Sequence, residues 1–383
     1  MSVFKDHYLK KHLSENCQIL LRPDGERGIF ASQDLKSGDL LFQDRPLLLG
    51  PKNAVTAVQC SCCYKSNADL KPCRKGCSLP LCEDCSKDKE EHEQDCTMLR
   101  NLGICDTNSW SLNVLRALTP LRALRLQEKD KNVLKLLKSL KNIPTRDELD
   151  SFLRLLDNPN IIDVQDIEFM HQVCSILQTN SFEVPVVNCG VEISYIRGIY
   201  PMAAMLNHSC APNVRHSFVK EKAEDSVKGG VQFSPILEFR ARQDVKCGEE
   251  LFITYCDITD VTSVRLKKLS LTKGFLCKCP RCSDRTEFGT NISAFKCANQ
   301  DKDCAGMMLP QEPLKLSTDY ICISCNFILN KDLVEDYQKS ATALLATLKN
   351  GQLDKSDIKL ANDYLNEAKD ILKNDVTVVL DDY

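Results

Sequence analysis

The sequence predicts an α+β fold in which short β-strands are interrupted by zinc modules and by amphipathic helices. Strand-like segments occur near the N-terminus and again from 181 to 255, and leucine-rich segments of helical period separate them. The 22 cysteines occur in closely spaced groups. A length of 383 residues exceeds the ~100–200 residues of a typical domain, so we expect more than one packing unit around a composite core.

Composition and charge exclude several classes of protein. The net charge of −3 and the pI of about 6.1 give no overall basic field for binding nucleic-acid phosphates. No window approaches the ~20 apolar residues that span a bilayer. Residues 1–13 contain charged residues instead of a signal peptide's apolar stretch. We therefore expect an intracellular protein without a membrane anchor, in which cysteines bind metal and do not form disulfides.

The first and third quarters of the chain predict β-structure. Residues 17–50 alternate apolar and polar positions around turn signals at Asp24-Gly25 and Ser37-Gly38. Strand patterns return at 181–200 and 231–255, with a polar loop from 219 to 230.

The intervening segment and the C-terminal segment predict helices. From 108 to 180, leucines recur at intervals of three and four residues, and two further helices are expected at 331–349 and 354–373. Pro120 and Pro144 interrupt the leucine period and argue against a coiled coil.

Residues 60–96 contain enough soft ligands for two tetrahedral zinc sites. The ligands are Cys60, Cys63, Cys73, Cys77, Cys82, Cys85, His92 and Cys96. A segment this short and polar cannot form an apolar core, so zinc is expected to supply most of its folding free energy. The alternative is a cluster of buried or redox-active thiols.

The later cysteines form two further groups. Cys277, Cys279 and Cys282 lack a fourth partner for tetrahedral zinc, so a distant residue must complete their site. A looser zinc ribbon, with unligated cysteines as the alternative, is formed by Cys297, Cys304, Cys322 and Cys325. The remaining cysteines are interpreted as small core residues: Cys17, Cys62, Cys105, Cys174, Cys189, Cys247 and Cys256.

Three separated motifs give the chain a family resemblance: GERGIFAS (25–32), NHSCAPN (207–213) and GEELFITYCD (248–257). In this order, followed by FLCKCPRC, they resemble the SET domain, the lysine methyltransferase fold. With the 60–96 finger inserted, the chain resembles the SMYD (SET and MYND) family. TNSFEV (179–184) and SLPLC within the finger look closest to the arthropod-type SMYD group.

The resemblance implies a domain order as well as a fold. It divides the chain into an N-terminal SET part (1–59), a MYND finger (60–96), a helical insertion (97–180), the core SET domain (181–275), a cysteine-rich post-SET region (276–328) and a short C-terminal helical region (329–383).

The resemblance also implies the site residues. Cofactor contacts fall on Gly25, Glu26, Arg27, Asn180, Asn207, His208, Tyr255 and Phe275. Tyr255 matches the catalytic tyrosine, Tyr200 matches a wall of the substrate channel, and Cys210 matches the fourth ligand of the Cys277 site. In the finger, Cys60, Cys63, Cys82 and Cys85 would share one zinc ion, and Cys73, Cys77, His92 and Cys96 the other.

The implied function is S-adenosylmethionine-dependent methylation of histone or non-histone lysine, in chromatin or transcriptional regulation. The cofactors are S-adenosylmethionine and three zinc ions, or four if the 297–325 group binds metal. The alternative is a MYND adaptor with weak or no turnover, because residues 97–180 lack the tyrosine that relatives use to contact the cofactor.

The finger's charge bears on its partners. Residues 60–96 contain six Lys or Arg and eight Asp or Glu, and thiolate ligands add further negative charge. We therefore expect docking of proline-containing partner peptides and no direct DNA binding. The chain is expected to be a monomer found in the nucleus and the cytoplasm.

Overall fold

The computed structural model of the chain describes residues 13–52, 58–66, 69–87, 90–129, 131–144, 147–187, 193–219, 235–299 and 304–336. The chain forms two compact units, one comprising Met1–Asn207 with Pro212–Ile253 and the other His208–Ala211 with Thr254–Tyr383. Short strands and helices are mixed in both, which confirms the predicted α+β class. Residues 331–336 are helical, but the rest of the predicted C-terminal helices and the 220–230 loop lie outside the described residues.

Short antiparallel pairs make up the β-structure of the first unit. Its strands are β1 (Cys17–Leu21), β2 (Arg27–Ala31), β3 (Leu40–Asp44), β4 (Leu48–Gly50), β5 (Lys71–Pro72), β6 (Pro80–Leu81), β7 (Phe182–Val187), β8 (Ile193–Ile199), β9 (Asn207–His208, whose last residue belongs to the second unit), β10 (Val214–Phe218), β11 (Leu237–Ala241) and β12 (Phe252–Ile253). β1 pairs with β2, β11 lies between β10 and β3, and β8 lies between β4 and β7. Stacking of Phe42 on Phe239, with ring centroids 4.7 Å apart, marks the core of the β10-β11-β3 sheet.

The predicted turns form where the sequence places them. Gly25 has φ +82° and Gly38 has φ +94°, a region of backbone space that residues with a Cβ rarely adopt. The Gly25 N–H donates to the Arg22 carbonyl at 3.0 Å, and the Arg22 N–H to the Glu26 carbonyl at 2.7 Å. The turn between β1 and β2 thus holds the first predicted cofactor motif in a fixed conformation.

Helices fill the middle of the first unit: α1 (Glu90–Asn101), α2 (Leu112–Lys129), α3 (Lys131–Lys138), α4 (Asp147–Leu153) and α5 (Val164–Asn180). Leu115, Leu118 and Leu121 of α2 are fully buried in a cluster that also contains the finger's cysteines. The predicted interruption at Pro120 does not end the helix, because α2 continues through it. The buried leucine face stabilises α2 despite the hydrogen bond that proline cannot donate.

A buried carboxylate joins the finger helix to α2. Asp95 of α1 is 1% exposed and accepts hydrogen bonds from Arg122 Nε at 3.0 Å and Arg125 Nη1 at 2.9 Å. Arg122 also donates to the carbonyls of Leu49 at 3.2 Å and Ser61 at 3.1 Å. One arginine therefore links β4, the finger and two helices.

The second unit consists of two helices followed by a small sheet. The elements are α6 (Thr262–Lys273), α7 (Pro280–Ser283), β13 (Phe295–Lys296), β14 (Met307–Pro310), β15 (Tyr320–Cys322) and β16 (Ile328–Leu329). The four strands pair antiparallel in chain order. Within the described parts of both units, no helix has the length and apolar character needed to cross a membrane.

Candidate functional site

The finger brings its eight predicted ligands into the two groups that the family resemblance implies. In each group the ligand atoms all lie within 4.8 Å of one another: Cys60, Cys63, Cys82 and Cys85 in one, and Cys73, Cys77, His92 and Cys96 in the other. The sulfurs of Cys63 and Cys82 are 3.7 Å apart, and those of Cys73 and Cys96 are 3.9 Å apart. Tetrahedral zinc with Zn–S bonds of about 2.3 Å requires sulfurs about 3.8 Å apart, so both groups fit zinc.

The incomplete three-cysteine site receives its fourth ligand from a distant segment. Cys210 lies with Cys277, Cys279 and Cys282, and its sulfur is 3.5 Å from that of Cys282. Cys210 and Cys282 are 1% and 0% exposed. The group has the composition and closure of a structural zinc site.

The 297–325 cysteines also converge. The sulfurs of Cys297 and Cys325 are 3.5 Å apart, and those of Cys304 and Cys322 are 3.8 Å apart. The antiparallel pairing of β14 with β15 and of β15 with β16 supports this arrangement. The geometry favours the zinc ribbon over unligated cysteines, despite the wide spacing between Cys297 and Cys304.

In the first unit, Asn207 is held against the backbone of the β1–β2 motif. Its Nδ2 donates to the Arg27 carbonyl at 2.8 Å and to Glu250 Oε1 at 2.7 Å. The Arg27 guanidinium reaches in the other direction and donates to Ser139 Oγ at 2.8 Å. Arg27 and Asn207, two of the predicted cofactor contacts, are therefore joined to each other by a hydrogen bond.

Asn180 belongs to the same hydrogen-bonded cluster as Arg27 and Asn207. The link is the segment 139–141, because Arg27 contacts Ser139 and Asn180 contacts Lys141. Asn180 Nδ2 donates to the carbonyls of Lys141 at 2.6 Å and Ile176 at 3.0 Å. The Lys141 ammonium in turn lies 3.2 Å from Glu26 Oε1. The cluster offers backbone carbonyls and carboxylates, which are the acceptors that a cationic amino-acid group requires.

In the second unit, His208, Tyr255 and Phe275 form one aromatic group. Ring centroids are 5.2 Å apart for His208 and Tyr255, 5.9 Å for His208 and Phe275, and 6.5 Å for Tyr255 and Phe275. Lys273 Nζ lies 5.3 Å from the centre of the Tyr255 ring, and burial lowers the pKa of this lysine. Phe275 is half-buried, so part of its side chain is accessible to solvent.

His208 has a defined protonation state in this group. Its Nδ1 accepts a hydrogen bond from the Tyr255 N–H at 2.9 Å, which places the ring proton on Nε2. That nitrogen lies 3.2 Å from Cys210 Sγ. Burial lowers the pKa of His208 to about 4, so the ring is neutral at physiological pH. Neutral His208 thus connects a predicted zinc ligand to the backbone of the predicted catalytic tyrosine.

Comparison with known proteins identifies the family. Residues 26–256 match the family model described as SET domain, which is more than half of the chain. The chain belongs to the SET-domain family.

Curated relatives place this SET protein with the SMYD group. It is 31% identical over 321 residues to a Drosophila melanogaster protein described as SET domain-containing protein SmydA-8, isoform A, covering 82% of this chain and 66% of that protein. It is 26% identical over 299 residues to the Danio rerio N-lysine methyltransferase SMYD2-A, covering 73% and 62%. The chain therefore spans about two thirds of the length of these relatives. It is an SMYD-family protein with similarity to the arthropod SmydA-8 proteins.

A solved structure titled "Crystal structure of the SET domain of LSMT bound to Lysine and AdoHcy" is similar at 16% identity and a TM-score of 0.30. That similarity covers 70% of this chain and 55% of the other.

One residue of the SET motifs was not singled out from the sequence. Glu250 is the common acceptor for Asn207 Nδ2 and for Arg22 Nη1, at 2.7 and 3.4 Å. Burial raises the pKa of its carboxyl, while the Asn207 bond and the Arg22 charge act in the opposite direction. A Cβ on Gly28 would lie 2.6 Å from Glu250 Oε1 and 3.2 Å from Asn207 Nδ2, so a side chain at this position would displace the hydrogen-bonded Asn207–Glu250 pair. The sequence signal that could have identified Glu250 is its carboxylate within GEELFITY, a motif from which only Tyr255 was assigned a role.

Tyr200, the predicted channel residue of the SET domain, lies in the core of the first unit. It is 0% exposed, its hydroxyl donates to the Pro235 carbonyl at 2.6 Å, and its ring meets that of Phe182 edge-on at 5.7 Å. Burial raises the pKa of its phenol. Its role in a substrate channel stays a prediction.

Some of the cysteines interpreted as core residues are not in the core. Cys17 and Cys174 are buried as expected, but Cys105 and Cys247 are exposed, which corrects that interpretation. Cys105 lies in the loop that follows α1, and Cys247 lies in a turn, where its Sγ donates to the Ser32 carbonyl at 3.2 Å. The half-buried cysteines are Cys62 and Cys256, and Cys189 lies outside the described residues.

Proposed function

We propose that this chain is an S-adenosylmethionine-dependent protein-lysine N-methyltransferase acting on histone or non-histone lysine. The observation that carries the proposal is the fixed position of Tyr255, whose backbone N–H is bonded to neutral His208 and whose ring lies beside Phe275. The name of the zebrafish relative, an N-lysine methyltransferase, supports the same activity.

The predicted cofactor contacts are assigned within each unit by itself, to the cluster around the β1–β2 turn in the first unit and to the aromatic group in the second. Gly25, Glu26, Arg27, Asn180 and Asn207 would hold the charged amino-acid end, and the half-buried ring of Phe275 would face the adenine. When bound, S-adenosylmethionine supplies a methyl group activated by a sulfonium cation.

The chain's own residues orient the substrate amine and favour its neutral, reactive form. A substrate ammonium with an unperturbed pKa of ~10.4 has no lone pair, and it must lose its proton before the amine can attack. A water-poor site lowers that pKa, because desolvation disfavours the charged form. The Tyr255 hydroxyl is assigned to orient the amine and the methyl group through its dipole. The zinc ions, when bound, supply folding free energy to the finger and to the segment carrying Cys210.

Calorimetric titration of the zinc-loaded chain with S-adenosylmethionine tests the proposal. We expect binding by the wild type and its loss in Asn207→Ala, because the substitution removes both bonds to Arg27 and Glu250. The matched control is Asn160→Ala, on an exposed loop, which should bind like the wild type.

Absence of heat in a fully zinc-loaded wild type would exclude the enzyme and leave the adaptor as the function. The adaptor remains the second candidate because no tyrosine occurs in residues 97–180. Its experimental sign would be peptide capture by the finger without cofactor binding.

For the MYND finger we propose docking of proline-containing partner peptides and no direct binding of DNA. The excess of acidic residues in 60–96 supports this choice, because duplex DNA would be repelled. Fluorescence anisotropy with a labelled proline-containing peptide and a labelled duplex compares the two, and preference for the duplex would contradict it.

We further propose that the protein is a monomer present in both nucleus and cytoplasm, with a role in chromatin or transcription. Light scattering of the purified chain measures the first property, and imaging of the tagged protein measures the second. A stable dimer or exclusion from the nucleus would contradict the respective statement.

A further inference from the structure

Arg265, on helix α6, is a cation without contact to solvent. It is the largest fully buried side chain of the described residues, at 0% exposure. A buried guanidinium is strongly destabilising unless its donors are all paired and its charge is balanced. Its contacts therefore indicate what the position requires.

Two of the contacts are ligand sulfurs of the post-SET zinc site. Arg265 Nε donates to Cys210 Sγ at 3.3 Å, and Nη2 lies 3.6 Å from Cys282 Sγ. Nη2 also donates to Thr262 Oγ1 and to Glu287 Oε2, each at 2.8 Å, and Nη1 donates to the Asp260 carbonyl. Arg265 thus adjoins the ligands supplied by two separate segments of the chain.

Glu287 fixes the orientation of this guanidinium. The carboxylate is 1% exposed and its Oε2 also accepts from Arg281 Nε at 3.1 Å. Arg281 differs from Arg265 in one respect, because its Nη1 donates to the backbone carbonyl of Cys210 at 3.2 Å and not to a sulfur. The two arginines share a carboxylate but meet the zinc site differently.

The contact between Arg265 and the ligand sulfurs balances buried negative charge. Four thiolates around Zn²⁺ carry a net charge of −2, which is costly to bury. Two arginines and one glutamate return one positive charge to the same region. N–H donors aimed at the sulfurs of Cys210 and Cys282 also delocalise the charge of these two thiolates, which slows their protonation and dissociation.

We propose that Arg265 is a positioning residue of the Cys210–Cys277–Cys279–Cys282 zinc site, acting as hydrogen-bond donor to its thiolates and as their buried countercharge. It retains Cys210 as a ligand although this cysteine lies 67 residues before the next one. The role concerns metal retention and holds whether or not the chain methylates lysine.

The test compares two double variants of the zinc-loaded chain. Arg265→Met with Glu287→Gln removes the N–H···S donors together with the carboxylate that Arg265 and Arg281 share. Arg281→Met with Glu287→Gln removes the same charges and keeps Arg265 beside the sulfurs. Zinc release to a chromophoric chelator is measured, and thiol alkylation is mapped by mass spectrometry at the four cysteines.

In the Arg265 variant we expect one zinc ion per chain to leave roughly 10-fold faster than in the Arg281 variant, the size of effect typical of a lost charged hydrogen bond. Alkylation should rise at Cys210 first. In the Co²⁺-substituted chain, the thiolate-to-cobalt absorption should move to longer wavelength, because unbonded thiolates are better electron donors. A merely structural arginine would not move this band.

Equal release rates and identical cobalt spectra in the two variants would overturn the proposal. If the Arg265 variant does not fold, Arg265→Lys replaces it, since lysine keeps the charge but cannot reach both sulfurs with a planar fork. Release no faster than in Glu287→Gln alone would then contradict the role of Arg265.

Discussion

Asp44 is a buried carboxylate that fixes the backbone a few residues before Asn207 by accepting hydrogen bonds from it. It is 4% exposed, and its Oδ2 accepts the N–H groups of Met202 and Ala203, each at 2.8 Å. These bonds satisfy the first turn of the short 3₁₀ helix Ala203–Met205, which ends two residues before Asn207. Burial raises the pKa of Asp44 to about 7, although the backbone donors act in the opposite direction.

Asp44 therefore predicts a pH dependence of stability. The pKa of about 7 in the folded state lies above the ~3.9 of an unfolded aspartate, so between these values only the folded state holds the proton. The stability from this group is complete below pH ~4 and falls as the pH rises through 7. Between pH 5 and pH 7.5, we expect the free energy of unfolding of the wild type to fall by about 1–3 kcal/mol relative to that of Asp44→Asn. Thermal unfolding midpoints at both pH values measure it, and parallel profiles would show that Asp44 is not protonated.

Tyr255 gives the second prediction at this scale. Tyr255→Phe keeps the ring beside His208 and Phe275 and the backbone bond to His208, and removes only the hydroxyl. We expect methyl transfer to a peptide array to fall about 100-fold or more, because an oriented dipole at the reacting atoms is lost. The affinity for S-adenosylmethionine, measured by calorimetry, should be unchanged. Unaltered turnover would contradict the assignment of Tyr255 as the catalytic residue.

At the scale of elements, the finger and the helical insertion share one packed core. The finger's cysteines and the leucines of α2 belong to the same buried cluster, and Asp95 binds Arg122 and Arg125 across α1 and α2. A zinc finger and a helical segment that appear separate in sequence are therefore expected to unfold together.

The Asp95 ion pairs predict the size of that coupling. Asp95→Ala leaves the half-buried Arg122, whose side chain is 16% exposed, without its carboxylate, and we expect the free energy of unfolding of the first unit to fall by about 3–5 kcal/mol. Asp95→Ala combined with Arg122→Met should recover much of this loss, because only Arg125, whose side chain is 25% exposed, then lacks the carboxylate. Urea unfolding of the wild type, Asp95→Ala, Arg122→Met and the double variant forms a double-mutant cycle, and purely additive effects would show that the pair is not coupled.

At the scale of the whole molecule, metal sites occur along most of the chain. Four groups of four converging ligands occur among the described residues from Cys60 to Cys325, and one of these four groups includes a histidine, His92. Each joins segments that the sequence separates, as zinc does in domains with small apolar cores.

These groups predict four zinc ions per chain. Elemental analysis of protein purified under reducing conditions should find four, and Cys304→Ser with Cys322→Ser should remove one ion and leave three. A wild-type value of three, unchanged in the variant, would mean that the 297–325 cysteines are unligated.

Much of this fold and site follows from the sequence, but not all. The turns at Gly25 and Gly38 and the ligand pairs of the finger were predicted because they depend on residues close together in the chain. The passage of α2 through Pro120 was not, because burial of its leucine face outweighs the local effect of proline. The exposure of Cys105 and Cys247 was missed for a related reason, since composition does not show which thiols face solvent.

By itself the sequence determined the SET-family motifs, the soft ligands and their short spacings, because these are properties of neighbouring residues. Only the tertiary structure decided which distant groups meet: Glu250 beneath Asn207, His208 between Cys210 and the Tyr255 backbone, and Arg265 against two zinc-ligand sulfurs. The physical reason is that buried charge and buried donors must be paired, and their partners are supplied by packing and not by proximity in the chain.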